Sequence, residues 1–193
     1  MSDVSTDNKM IARTAVGAFG GSPKVTRFWD ADEESFVDLL TCEGGPRDGV
    51  TSFSTLGLSD SPLMVDGREA GIRVELVAAC ASTCEVFGNI LSTAAFCIIN
   101  SNWSCSPGTM FPDIVGMYDC SSTMKHLLFV PPFLWEERLE TLDFDSKTVA
   151  WLLAVPISDA EYAFAESEGV EALENSFEEK QIDIYDINRP SVI

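Results

Sequence analysis

Two apolar runs in the second half of the chain limit the folds open to it. Residues 124–130 (MKHLLFV) are apolar except at Lys125 and His126, and residues 148–155 (TVAWLLAV) are apolar almost throughout. Runs this short, rich in β-branched and aromatic residues and bounded by proline, read as buried strands rather than helices. Pro131-Pro132 closes the first and Pro156 the second. Strands of this kind belong inside a sheet that helices cover.

The rest of the chain supplies partners for both. Residues 8–19 predict a helix with Ile11, Thr14, Ala15, Ala18 and Phe19 on one face, capped by Asp7 or Asn8 and stopped by Gly20-Gly21. Residues 25–29 and 36–42 read as a β-hairpin around the acidic turn 30–34, and residues 50–56 as a third strand. Residues 63–65 and 72–79 flank Asp66-Gly67, a turn signal that predicts a second hairpin. Ser82 and Glu85 have capping-box spacing ahead of an apolar stripe, Val86 to Ile98, that runs to about Asn100. The long loop 101–119 carries Trp103, Met110 and Phe111, so it is expected to pack down. Ser158 and Glu161 form a second capping box, Gly169 separates two short helices, and residues 182–187 read as a last strand. The expected fold is α+β: one domain over residues 1–193, with a mixed, mostly antiparallel β-sheet covered by three or four helices.

Charge narrows the function classes. The chain carries 31 acidic and 12 basic residues, a net charge of −19. Such a field repels a phosphate backbone, so direct nucleic-acid binding is disfavoured, whereas encounter with a basic partner is accelerated. The excess is concentrated in residues 136–186, with 15 acids against 3 bases. There Val170, Leu173 and Phe177 face the core, and Glu171, Glu174 and Glu178 form an adjacent stripe with the same spacing. No lysine four residues on neutralises that stripe. Phe133 and Trp135, just after the paired prolines, are candidates for an exposed apolar patch that anchors a partner. These five residues are the candidate partner-binding set.

Catalytic candidates are few. His126 is the only histidine, and it lies within a strand, where a structural role outweighs a general base. No GxSxG elbow, Walker A loop or GxGxxG precedes a helix. The six cysteines form no CxxC pair, so they are expected to be reduced and mostly buried, and no metal or other cofactor is expected. Ser52, Ser54 and Thr55 read as hydroxyls that satisfy strand-end and turn backbone. A hydrolase using paired carboxylates or His126 is the alternative reading. The polar N-terminus lacks the basic start and apolar core of a signal peptide, and no apolar run reaches membrane length, which places the chain in the cytoplasm as an expectation.

Three segments together, GVTSFSTLGLSDSPL (residues 49–63), KHLLFVPPFLW (125–135) and VAWLLAVPISDAE (149–161), resemble the SUFU (Suppressor of fused) domain family in order and separation. The closing stretch GVEALENSFEEKQIDIYDINRPSVI (169–193) is similar to the C-terminal end of its bacterial members. The resemblance implies a SUFU-like fold and a binding protein without catalytic residues. In bacteria it implies an immunity protein, or antitoxin, whose partner is a cognate polymorphic toxin such as a nuclease.

Overall fold

A computed structural model describes residues 4–65 and 67–193. In chain order the elements are α1 (Thr6–Phe19), β1 (Ser22–Trp29), β2 (Phe36–Glu43), β3 (Val50–Leu56), β4 (Met64–Val65), β5 (Arg68–Glu69), β6 (Arg73–Ala81), α2 (Phe87–Ser101), β7 (Met110–Phe111), β8 (Met124–Val130), β9 (Leu142–Asp143), β10 (Thr148–Ser158), α3 (Asp159–Glu168) and α4 (Val170–Lys180). Short 3-10 turns cover Leu58–Asp60, Gly116–Tyr118 and Phe133–Leu139.

Eight strands form one sheet in the order β1-β2-β3-β6-β10-β8-β7, with β9 beside β10. Its pairs are antiparallel except β6 with β10, which run parallel, so the sheet is mixed and mostly antiparallel as expected. The period of two decides what each central strand buries. On β6, β8 and β10, Leu76, Ala78, Leu127, Phe129, Leu152 and Ala154 pack toward α2, which lays down Phe87, Ile90, Leu91, Ala94, Ala95 and Ile98. The alternate residues Val77, Leu128, Val130, Trp151, Leu153 and Val155 pack toward α1, the 3-10 turn at 133–139, α3 and α4. Both faces are covered, which is why the two runs lack a polar side.

Several boundaries differ from the sequence reading. The cap of α1 is Ser5, whose Oγ accepts from the Asn8 N–H at 3.0 Å. The Asn8 side chain donates instead to Asp60 at 2.8 Å. The hairpin expected at Asp66-Gly67 shrinks to the two-residue strands β4 and β5, and Asp66 lies outside the described residues. The apolar run that follows is drawn into the sheet as β6, between β3 and β10. Ser82 caps no helix: its hydroxyl bonds Thr51 at 2.8 Å, and α2 starts at Phe87.

Pro156 does not end its strand; β10 runs on to Ser158. A residue's N and O point to the same side of a strand, and Pro156 O accepts from Arg189 at 3.1 Å, away from β8. β6 pairs with β10 only as far as Leu153, so the missing N–H of Pro156 interrupts no ladder. Residues 182–187 are turns rather than a strand. Asp183 Oδ1 accepts from the Tyr185 N–H (3.0 Å) and Asp186 Oδ1 from the Asn188 N–H (2.8 Å). Such local bonds compete with ladder formation. The loop 101–119 packs down as expected, with Cys105, Phe111, Ile114 and Val115 buried and the Trp103 ring edge-on to Phe111 at 4.8 Å.

Candidate functional site

The helix α4 has one buried anchor, Leu173, with Val170 and Phe177 packed against the same core. This orientation follows from their i, i+3, i+7 spacing, and it turns Glu171, Glu174 and Glu178 onto the next stripe. The three carboxylates line a groove of about 560 Å³. Val130 and Pro131 from the end of β8, Phe133, Val155, Phe177, Ile182 and Ile184 give it an apolar lining. Among the described residues none of the three glutamates makes an ion pair. Glu174, the middle one, has its pKa raised, first by burial and then by the neighbouring charges of Glu171 and Glu178. Four of the five residues named as a partner-binding set thus share one groove, and Phe133 is 58% exposed within it.

Trp135 is the exception. It is fully buried, its ring 4.7 Å from Phe19, and so forms part of the core rather than of an exposed patch. The cause is local. With about 3 residues per 3-10 turn, positions two apart point roughly 120° from each other, so Phe133 and Trp135 cannot share a face.

The C-terminal segment forms the end of the groove and is held by a buried ion pair that sequence reasoning did not find. Arg189 donates to both oxygens of Glu161, Nη1 to Oε1 at 2.6 Å and Nη2 to Oε2 at 2.9 Å. Both side chains are buried. The carboxylate also accepts from the Ser158 N–H (2.9 Å) and the Val192 N–H (3.0 Å). The predicted capping box of α3 therefore exists and doubles as the docking point of the tail. The Arg189 guanidinium lies 5.1 Å from the Phe177 ring, under the helix that carries the acidic stripe.

The catalytic candidates are all hydrogen-bonded within the fold. His126 Nδ1 accepts from the Asp113 N–H at 2.8 Å, and Nε2–H donates to Asp159 Oδ1 at 2.9 Å. Its ring rests against Tyr162 at 4.6 Å. Both nitrogens are thus engaged, neither with a hydroxyl or a thiol. Ser52 Oγ donates to Gly45 O at 2.7 Å and Ser54 Oγ to Thr55 O at 2.8 Å. Thr55 Oγ1 donates to Glu75 Oε2 at 2.5 Å and accepts from the Leu76 N–H at 2.9 Å.

Glu75 is the surprise of this region: a carboxylate fully buried on β6. Its Oε1 accepts from the N–H groups of Gly57 (3.0 Å) and Ser59 (3.1 Å). Gly57 sits at φ 91°, a left-handed conformation that glycine takes without strain, and this aims its N–H at the carboxylate. Burial pushes the Glu75 pKa up to about 6 against those stabilising bonds. The signal was one acid inside the apolar stretch RVELVAACA. Among the described residues no group of three His, Cys, Asp or Glu converges as a metal site. None of the described helices is long and apolar enough to cross a membrane.

Comparison with known proteins assigns the family. The Suppressor of fused protein (SUFU) family profile matches residues 33–190. The chain belongs to the SUFU family. Immunity protein YqcF of Bacillus subtilis (strain 168) is 50% identical to this SUFU chain over 190 residues, covering 98% of it and 99% of that protein. Among solved structures, a SUFU homolog from Neisseria gonorrhoeae superposes with a TM-score of 0.71 at 19% identity, over 98% of each chain. The Sufu–Fu complex gives a TM-score of 0.63 at 15% identity, over 95% of this chain and 91% of that one. Drosophila Suppressor of Fused gives 0.61 at 14%, over 96% of this chain and 50% of that one. At these identities the structural likenesses concern the SUFU fold, and they agree with the α+β architecture described above.

Proposed function

We propose that this SUFU protein is a non-catalytic immunity protein that neutralises a cognate protein toxin by stoichiometric binding in the cytoplasm. Its docking surface is the α4 groove, and its partner is a toxin with a basic face, such as a nuclease domain. The observation that carries this reading is the convergence of Glu171, Glu174 and Glu178, without an ion pair among the described residues, on an apolar groove that includes the exposed Phe133. An apolar centre rimmed by one sign of charge is the anatomy of a docking site for an oppositely charged partner. Nucleases carry basic surfaces to hold phosphates, which makes them a chemical match for a −19 protein. The half-identical relative named an immunity protein supports the role.

The test is an inhibition titration against the cognate toxin domain, sought among the products of neighbouring reading frames. A binding inhibitor abolishes toxin activity at about one equivalent, with residual activity falling linearly up to that point. Inactivation of many toxin molecules by one molecule of this protein would overturn the reading and point to catalysis.

A further inference from the structure

The central strands are covered on both faces, but the first edge of the sheet is open. β1 is the terminal strand, and among the described residues no strand pairs with its outer side. All of β1 except Phe28 is exposed. Val25, Trp29 and, across the hairpin, Phe36 leave large apolar side chains in solvent, with the Trp29 and Phe36 rings 5.2 Å apart. Hydrogen bonds in the hairpin decide which main-chain groups are left over. Asp30 N–H donates to Ser35 O at 3.0 Å, and Lys24 O accepts from Thr41 Oγ1 at 3.3 Å. The even-numbered residues of β1 therefore turn their N–H and C=O toward β2. Bonded and non-bonded pairs alternate along an antiparallel ladder, so Val25, Arg27 and Trp29 turn theirs outward. Pro23 belongs to the same outward set, where its missing N–H interrupts nothing.

From this edge we infer that β1 pairs antiparallel with β1 of a second copy of the chain, about a two-fold axis at Arg27, so that two sheets join edge to edge. The register follows from the leftover groups. With Arg27 bonded to the partner's Arg27, Val25 exchanges N–H···O=C bonds with the partner's Trp29, and the two-fold repeats that exchange at Trp29. Every outward N–H and C=O of Val25, Arg27 and Trp29 is then satisfied, and Pro23 falls beyond the ladder. An axis at Val25 would instead set Arg27 against the partner's Pro23, which has no N–H to return. The usual edge protection, a proline followed by a lysine, stands only at the start of the strand, at Pro23 and Lys24.

The same register is complementary in side chains, because directly opposed residues lie on one face. Val25 falls against the partner's Trp29, beside the partner's Phe36, and the symmetry covers the exposed apolar patch of both copies. On the other face Lys24 falls opposite the partner's Asp30. The two Arg27 guanidiniums that meet at the axis are each neutralised by a bidentate pair with Asp38 of their own chain (2.7 and 2.8 Å) and lie over Phe36 at 3.8 Å. β1 carries Lys24 and Arg27 and no acid, so it is a place where two chains of net charge −19 approach with reduced repulsion. The α4 groove lies against β8 and β10, on the far side of β2, β3 and β6 from this edge. The dimer therefore leaves that groove open in both copies.

The experiment is sedimentation equilibrium of the full chain, without toxin, over roughly a hundredfold range of concentration. Wild type should shift from monomer to dimer as concentration rises. Val25→Pro removes an outward N–H and no bond to β2, so circular dichroism should be unchanged. Its dimer should dissociate at least about tenfold more readily, since the two-fold doubles the loss. Oxidative cross-linking reads the register. Arg27→Cys places two thiols across the axis with Cα atoms about 5.5 Å apart, within disulfide reach, and should give a covalent dimer above the wild-type background. Val25→Cys holds its thiols about 14 Å apart and should not. Wild type that stays monomeric throughout would overturn the proposal. So would a folded Val25→Pro protein that dimerises as tightly as wild type, or Val25→Cys cross-linking as readily as Arg27→Cys.

Discussion

Replacing Arg189 with methionine should be among the most damaging single changes in this protein. The substitution keeps bulk and removes the guanidinium, leaving the Glu161 carboxylate fully buried with two backbone N–H donors. One of these, from Val192, lies in the segment that Arg189 itself anchors. Removing one partner of a buried ion pair costs about 3–5 kcal/mol, because the other charge is stranded in a medium that solvates it poorly. A urea m-value of about 2 kcal/mol/M turns the middle of that range into a fall of about 2 M in the unfolding midpoint, followed by circular dichroism. Glu161→Leu alone should cost a similar amount. The pair Glu161→Leu/Arg189→Met should recover most of the loss, to within about 1–2 kcal/mol of wild type, since no charge is left buried and the remaining deficit is the lost cap of α3. A midpoint change below about 0.5 M for Arg189→Met would refute the reasoning. So would a double variant whose loss equals the sum of the single ones.

Glu75 predicts a pH dependence of stability. Its folded pKa of about 6 is above the unfolded value, so its favourable contribution is complete at pH 4 and is lost as pH rises through about 6. Relative to Glu75→Gln, wild type should therefore lose about 2 kcal/mol between pH 4 and pH 7, read from urea midpoints. A constant difference between the two proteins would contradict this. His126→Ala should cost about 1–3 kcal/mol by orphaning the Asp113 N–H, while leaving the one-to-one stoichiometry of toxin neutralisation intact. Loss of neutralisation by folded His126→Ala protein would return that histidine to a functional role.

The sequence made the strands with one kind of environment easy to read. Residues 127–130 and 151–155 are buried on both faces, so their hydrophobicity alone marks them. What escaped depended on partners far away in sequence. Pro156 is tolerated inside β10 because a tail residue 33 positions later accepts the role of neighbour. Residues 182–187 alternate like a strand, but two aspartates fold them into turns. The acidic stripe of α4 was visible from spacing, and so was Phe133. The groove between them was not, since Val130 and Ile184 meet only once the sheet is formed. Trp135 was misjudged because its exposure depends on the 3-10 pitch of a segment that has no periodic signature.

The claim that the α4 groove receives a basic toxin is tested most directly by association kinetics. Stopped-flow mixing of the toxin with wild type and with Glu171→Gln/Glu174→Gln/Glu178→Gln, at low salt and near 1 M salt, separates steering from contact. The account predicts that the triple variant associates on the order of tenfold more slowly at low salt, and that the gap closes as the screening length shortens to about 3 Å. Equal association rates for the two proteins at low salt would contradict it and move the docking surface away from α4.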